Sequence, residues 1–306
     1  MTAVEEPAGT GRLTGRTAIV TGASRGLGRA IATTFAREGA AVAVVARSEA
    51  QWDERLPGTI HEVVAEIRDG GGRAVAIAAD LSQPDQVEAL VGLARDALGP
   101  VDLLINNAAL TVPGRPPGSG RAGGSPAPAS AAPPSGARRP AAPSIGSSFL
   151  EFPLKGFRMH FEIGLFACYR LMQLVLPDMI DGGRGSIVNI SSYAGFIPGE
   201  GPYPAPGQPG PIAYGGNKAA LHHLSQCVAV EMQAHGVAIN VLSPSEPVLT
   251  PGNLVAAAGE SRWASPEDFA EATVRAALAD PQVTTGQLLW SDDLLHPGLG
   301  RRGWLR

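Results

Sequence analysis

Residues 213–221 read AYGGNKAAL and place Tyr214 and Lys218 four positions apart. On a helix that spacing puts both side chains on one face, where a phenol and an ammonium can border a common site. An unperturbed phenol titrates near a pKa of about 10, too high for ready proton exchange at neutral pH. A neighbouring ammonium favours the phenolate and brings the group towards a working range. Upstream, GSIVNISS reads as a strand ending in Ser192, at the carboxyl edge where open α/β sheets place their ligands. A hydroxyl there can donate to a carbonyl oxygen while the phenol supplies a proton. Ser191 points to the opposite side of the strand and is assigned a structural role. The Tyr/Lys spacing alone is weak evidence, because it also occurs on solvated helix faces.

A second constellation lies near the start. TGASRGLG, residues 21–28, carries glycines at 22, 26 and 28 between an apolar strand and a helical pattern. Such glycines permit a tight turn and a close backbone approach to a pyrophosphate, which the helix N-terminus attracts. The strand–turn–helix context turns this pattern into a nucleotide site. An acid at the end of the second strand would bind a ribose 2′-hydroxyl, whereas an arginine accommodates a 2′-phosphate. This chain has Ala46 and then Arg47 there, and Arg25 inside the turn. Two cations and no carboxylate predict NADP(H).

The elements that must hold these residues alternate. TAIVTGA, AVAVVAR, AVAIAAD and VDLLINNA read as strands separated by helices, one closed by Gly39. Beyond them follow a long amphipathic helix from about Leu154 to Met179, strand GSIVNISS, a Pro/Gly-rich loop and the Tyr214 helix. Strand VAINVLSP, an irregular segment to about Trp263, a helix capped by Ser265 and strand GQLLW complete the series. The predicted fold is α/β: a Rossmann-like, doubly wound parallel sheet of about seven strands in a single domain over 14–306. Residues 1–13 read as an N-terminal tail. Residues 111–149, dominated by Pro, Ala, Gly and Ser, bury too little surface to order themselves and read as a disordered insertion.

Composition narrows the partners. A net charge of -4 and a pI near 5.9 leave no basic stripe for nucleic acid. The start resembles neither a signal nor an anchor, and no later stretch reads as long and apolar enough to cross a bilayer. A cytoplasmic, soluble protein is expected. Cys168 and Cys227 fall in apolar helical patterns, as buried small hydrophobes do, and no metal-ligand spacing occurs.

TGASRGLG, NNAA (106–109), IVNISSYAG, YGGNK and INVLSPSEPVLTPG occur in the order and near the spacing of the short-chain dehydrogenase/reductase family. The chain resembles that family over about residues 13–292, outside the insertion. The resemblance implies that Tyr214 is the proton donor, Lys218 the lysine holding the nicotinamide ribose, and Ser192 the serine polarising the substrate oxygen. It implies cofactor contacts from Gly22, Ser24, Arg25, Gly26, Leu27 and Gly28, from Arg47, and from Asp80 and Leu81, with Asp80 at the adenine. Asn107 and Ala108 join them, as do Tyr214 and Lys218, and Asn106 steadies the sheet. Around the nicotinamide the resemblance implies backbone from Ile190 and Val248, with Pro244 and Thr250 near the carboxamide.

Three positions depart from the pattern. Gly164, thirteen residues ahead of Pro177, stands where the family has an asparagine associated with a water on the proton path to the lysine. Ser245 replaces a glycine, and Ala109 another. The implied activity is an NADPH-dependent carbonyl reductase, reversible as an alcohol dehydrogenase, on a small-molecule carbonyl or alcohol. Gly164 motivates the alternatives: an NADP-binding protein of this fold with weakened redox activity, or non-redox cyclisation or dehydration. The Pro-rich loop between Ser192 and Tyr214 suggests an apolar wall and a hydrophobic ketone. Family members commonly pair through the helices that here run 154–179 and 213–235, which predicts a homodimer or homotetramer.

Overall fold

The computed structural model describes residues 11–51, 56–110, 148–202, 207, 210–256 and 263–297. In chain order β1 (Thr17–Thr21), α1 (Gly26–Arg37), β2 (Ala41–Ala46), α2 (Ile60–Asp69), β3 (Arg73–Ala78), α3 (Pro84–Leu98) and β4 (Leu103–Asn106) alternate. Next come α4 (Leu154–Phe161), a π-helical turn (Glu162–Phe166), α5 (Ala167–Asp181), β5 (Gly185–Ile190), α6 (Ile212–Met232) and β6 (Val237–Ser243). The last elements are α7 (Pro251–Ala256), α8 (Pro266–Ala277), β7 (Leu288–Trp290) and α9 (Ser291–Leu295). The strands form one sheet in the order β3-β2-β1-β4-β5-β6-β7, every neighbouring pair parallel. This is the seven-stranded, doubly wound architecture that the alternation predicts.

β1, β4, β5 and β6 are buried along their whole length, because helices cover both faces and the strands need no polar side. Alternate residues serve opposite layers. Val20, Val44 and Ile105 pack with Ile31 and Phe35 of α1 and Phe269 of α8. Ile19, Val45 and Leu104 pack with Leu90 of α3 and Leu171 and Val175 of α5. Each such large side chain contributes roughly 1.5–3 kcal/mol by leaving water. The strand order reverses between β1 and β4, and ligands of open α/β sheets bind in the crevice outside the carboxyl ends at such a reversal.

Several sequence expectations change. The helix predicted from Leu154 to Met179 runs to Asp181 and is interrupted by the π-helical turn around Gly164. By length and composition this run, Leu154–Asp181, with an 18-residue window of mean hydropathy 1.4, could cross a membrane, contrary to the sequence reading. Here Ile163, Ala167, Leu171, Met172, Val175 and Met179 pack it into the core. Arg12 and Leu13, assigned to the tail, belong to the fold: Leu13 is fully buried and Arg12 pairs with Glu38 and Glu271. The segment read as irregular before Trp263 contains α7, and α9 follows the last strand. Cys168 is buried as expected, but Cys227 is exposed and touches His223 at 3.6 Å. Residues 1–10 and 111–147, most of the predicted tail and insertion, lie outside the described residues.

Candidate active site

The glycine turn joins β1 to α1 at the β1/β4 crevice. Gly22 and Gly26 adopt φ of 67° and 53°, a region that side chains rarely enter. A Cβ on Gly28 would collide with the Gly22 carbonyl and the Asn107 amide. Asn107 is the clamp: its Nδ2 donates to Thr21 O at 2.8 Å, and its backbone N–H donates to Thr21 Oγ1 at 3.0 Å. The Ala108 N–H donates to the same hydroxyl at 3.1 Å. Thr59 and Ser265 cap α2 and α8 with their side chains, whereas Arg25 gives α1 no such cap. The backbone N–H groups of the first turn of α1 thus remain available to an anion. The close glycine cradle and this uncapped terminus fit the pyrophosphate of a dinucleotide.

The cations predicted to flank the nucleotide are placed differently from one another. Arg25 donates to Leu56 O at 2.6 Å and to Ser48 Oγ at 2.5 Å, which fastens the turn to the loop after β2. Arg47 is half-exposed at the end of β2, 3.7 Å from Asp80. Asp80 Oδ1 in turn accepts from the backbone N–H and hydroxyl of Ser82, at 3.0 and 2.8 Å. Ser24 is buried. Leu27 and Leu81 turn their side chains into the core, so a cofactor contact from either is made by backbone. Thr250 lies over the turn, its methyl 3.4 Å from where a Gly26 Cβ would sit. Pro244 follows directly on β6. Val248 is buried and its carbonyl accepts from Asn253 Nδ2 at 2.9 Å.

Ser192, Tyr214 and Lys218 converge. Ser192 lies two residues beyond the end of β5, where its Oγ accepts from the Ala194 N–H at 3.2 Å and hydrogen-bonds the Tyr214 phenol. Lys218 is 2 % exposed; its Nζ donates to Ile190 O at 2.7 Å and lies 5.8 Å from the centre of the Tyr214 ring. The carbonyl of Ile190, expected to line the nicotinamide, thus orients the lysine. Burial pushes the phenol above its ordinary pKa, and the Ser192 hydrogen bond pulls it back down. This corrects the expected downward shift: the ammonium is hydrogen-bonded to Ile190 O, and burial is the larger influence on the phenol. Burial lowers Lys218 too, against an upward pull from Cys168. Asn106 donates to Asn189 at 2.8 Å, which donates to Ser225 at 2.8 Å, a polar brace from β4 through β5 to α6.

The family model for short chain dehydrogenases matches residues 16–118 and 140–254. The chain belongs to the short chain dehydrogenase family. It is 32% identical over 267 residues to the ketoacyl reductase HetN of Nostoc, covering 86% of this chain and 76% of that one. Its fold is similar to that of a Beutenbergia cavernae protein assigned as an NAD(P)-dependent gluconate 5-dehydrogenase with bound NADP. The TM-score is 0.69 at 29% identity, covering 95% and 99% of the two chains. A 7α-hydroxysteroid dehydrogenase solved with NADH and 7-oxo glycochenodeoxycholic acid is similar at a TM-score of 0.68 and 27% identity, covering 91% and 93%.

The departures of this short-chain dehydrogenase from the family pattern have physical counterparts. Ser245 accepts from the Asp292 N–H at 3.0 Å, and its own N–H donates to Ser291 Oγ at 3.1 Å. The serine therefore anchors α9. Gly164 is covered by Asn217, the third residue between Tyr214 and Lys218; a Cβ on Gly164 would collide with Asn217 Oδ1. Sequence reasoning missed Asn217, although an asparagine within the Tyr/Lys interval was a visible signal. It also missed His160, whose ring meets the edge of Tyr214 at 6.2 Å, and His222, whose Nε2 is 2.5 Å from Ser191 Oγ. Burial, then Lys218, lowers the pKa of both histidines, that of His222 to about 4. Ser191 faces away from Ser192, as the strand pleat requires.

Proposed function

We propose that this enzyme is an NADPH-dependent carbonyl reductase, working in reverse as an alcohol dehydrogenase, on a hydrophobic ketone. The observation that carries this reading is the buried Lys218, fixed on Ile190 O at 2.7 Å with its Nζ 5.8 Å from the centre of the Tyr214 ring. Held through its pyrophosphate at the glycine turn, NADPH would supply hydride to the carbonyl carbon. Ser192 already accepts from Ala194, so its O–H is the donor to the substrate oxygen. Tyr214 is kept protonated by burial and gives its proton to that oxygen as negative charge develops. Lys218, fixed on Ile190 O, holds the ribose and the positive charge beneath the phenol.

Preference for NADPH is supported by Arg47 at the end of β2, where a 2′-phosphate gains a cation. Preference for an apolar substrate is supported by the aromatic run Phe152–His160–Tyr214, with successive ring centres 6.2 Å apart. Phe196 against Trp290 at 5.1 Å adds a second aromatic pair. Gly164 does not favour an impaired or non-redox protein, because Asn217 occupies the space beside it. Exposed Phe166 of the π-helical turn, Tyr169 of α5 and Val230 of α6 suit a homodimer or homotetramer, and the unpaired cysteines suit the cytoplasm. Turnover of aryl and cyclic ketones with NADPH and with NADH, in the protein and in Arg47→Glu, tests the reading. NADPH should be preferred and the substitution should reverse that preference; a wild-type preference for NADH rejects the 2′-phosphate assignment.

A further inference from the structure

Three residues of α6 reach the end of β5 in succession. Tyr214, Lys218 and His222 are spaced four apart, which keeps them within an arc of about 80° on the helix. Lys218 Nζ donates to Ile190 O at 2.7 Å, His222 Nε2 lies 2.5 Å from Ser191 Oγ, and the phenol of Tyr214 interacts with Ser192. Tyr214 and Lys218 belong to the chemistry described above, whereas His222 has no part in it. His222 is buried. Its ring packs on Phe196 with centres 4.7 Å apart, and Phe196 packs on Trp290 at 5.1 Å.

The chemistry of the pair sets the direction of its hydrogen bond. Among the described residues the buried Ser191 hydroxyl has no polar partner besides His222. If it only accepted there, its own proton would be stranded, so the O–H donates to Nε2 and the neutral ring carries its proton on Nδ1. The Ser191 backbone N–H donates to Leu242 O at 2.8 Å, which ties the same residue to β6. Beyond Ser192 the chain turns over the imidazole. The Gly195 N–H donates to Ser192 O at 3.0 Å, and a Cβ on Gly195 would lie 2.8 Å from His222 Cε1. His222 thus supports the residue before Ser192 and the turn after it. Ser192, whose Oγ accepts from the Ala194 N–H, is held between the two.

We propose that His222 is a positioning residue of the reduction, holding Ser191 and the Tyr193–Gly195 turn so that the Ser192 hydroxyl between them stays aimed at the substrate oxygen. The inference rests on the carbonyl reductase reading. The side chains of Ser191 and Ser192 leave opposite sides of the strand, so a backbone rotation that frees one swings the other off its target. A displacement of about 1 Å at a reacting group can cost on the order of 10²-fold in rate. Because His222 and Tyr214 share one helix, the serine donor and the phenol are referred to the same rigid element.

The test uses the full chain with NADPH and the aryl or cyclic ketone that the wild type reduces fastest. His222→Phe keeps a ring against Phe196 but removes the acceptor, and should lower kcat about ten- to a hundredfold with NADPH affinity unchanged. His222→Gln offers Ser191 an amide oxygen in place of Nε2 and should recover most of the loss. Ser191→Ala deletes the other partner and should match His222→Phe. The double variant Ser191→Ala/His222→Phe leaves no unpaired hydroxyl, so it should regain thermal stability relative to His222→Phe without regaining kcat. Recovery of kcat along with stability marks a purely structural pair and overturns the proposal. So does an unchanged kcat in Ser191→Ala, or a His222→Gln no better than His222→Phe. A second readout needs no turnover: the Tyr214 phenol carbon, which senses Ser192, followed by carbon NMR and assigned with Tyr214→Phe. His222→Phe should move that resonance in the direction that Ser192→Ala moves it. If the wild-type protein reduces no ketone, the carbonyl reductase reading falls and the phenol signal still decides the positioning: a resonance that His222→Phe leaves in place refutes it. Should His222→Phe not fold, Ser191→Ala, which deletes a single oxygen, carries both readouts.

Discussion

Replacing Gly164 with alanine sets two effects of opposite sign against each other. Alanine gains about 1 kcal/mol over glycine in a helix interior. Asn217 Oδ1, however, occupies the volume that the new methyl requires. The amide is not free to swing aside, because its Nδ2 is bonded to Ala213 O and Tyr214 O, and each such bond is worth about 0.5–1.5 kcal/mol. Overpacking of a filled interior typically costs about 1–3 kcal/mol. Together these outweigh the propensity gain, and Gly164→Ala should destabilise the protein by roughly 1–3 kcal/mol. In an Asn217→Ala background the obstacle is absent, and the same change should stabilise by up to about 1 kcal/mol. Urea unfolding of the four proteins in this double-mutant cycle measures the coupling. A neutral or stabilising Gly164→Ala in the otherwise wild-type chain would refute the packing argument.

Three further outcomes follow from the geometry. Gly28→Ala drives a methyl into the Gly22 carbonyl and the Asn107 clamp and should abolish NADPH binding, read by nucleotide fluorescence; retained affinity would contradict the cradle. Ser245→Gly removes the acceptor of the Asp292 N–H and should cost about 1 kcal/mol and expose α9 to proteolysis; unaltered protection of that terminus would contradict its anchoring role. Burial holds His222 at about 4 against 6.5 and also depresses His160, so the unfolded chain takes up these protons first. Stability should therefore fall as pH drops from about 6.5 towards 4, His222→Asn should flatten that slope, and a wild-type slope of zero would count against the buried, neutral state.

Much of this fold is legible in the sequence because its strands are short apolar runs bounded by glycine turns and helix signals. β1, its turn and α1 can be read directly from TAIVTGASRGLG, since a positive-φ glycine turn tolerates few alternatives. The Tyr214/Lys218 face is equally direct, a consequence of helical spacing. The Asn217–Gly164 exchange is not local: the two residues are separated by 53 positions and meet only when α6 packs on the α4–α5 run. The π-helical turn is hidden for a related reason, because one extra residue hardly disturbs the apolar periodicity on either side. Arg25 reads in the sequence as a cation for the nucleotide, yet it clamps Ser48 and Leu56 because the loop after β2 folds back over the turn. Ser245 reads as a departure from a family pattern until α9, invisible as a five-residue segment, supplies the N–H it accepts.

The proposed reading makes Tyr214 the proton donor of an NADPH-dependent reduction. It is tested most directly by following NADPH absorbance against a panel of aryl, cyclic and β-keto carbonyl compounds, with Tyr214→Phe beside the wild type and nucleotide affinity measured for both. Turnover by the wild type, none by Tyr214→Phe, and equal NADPH affinity in the two proteins are expected. Turnover by Tyr214→Phe at the wild-type rate would contradict it.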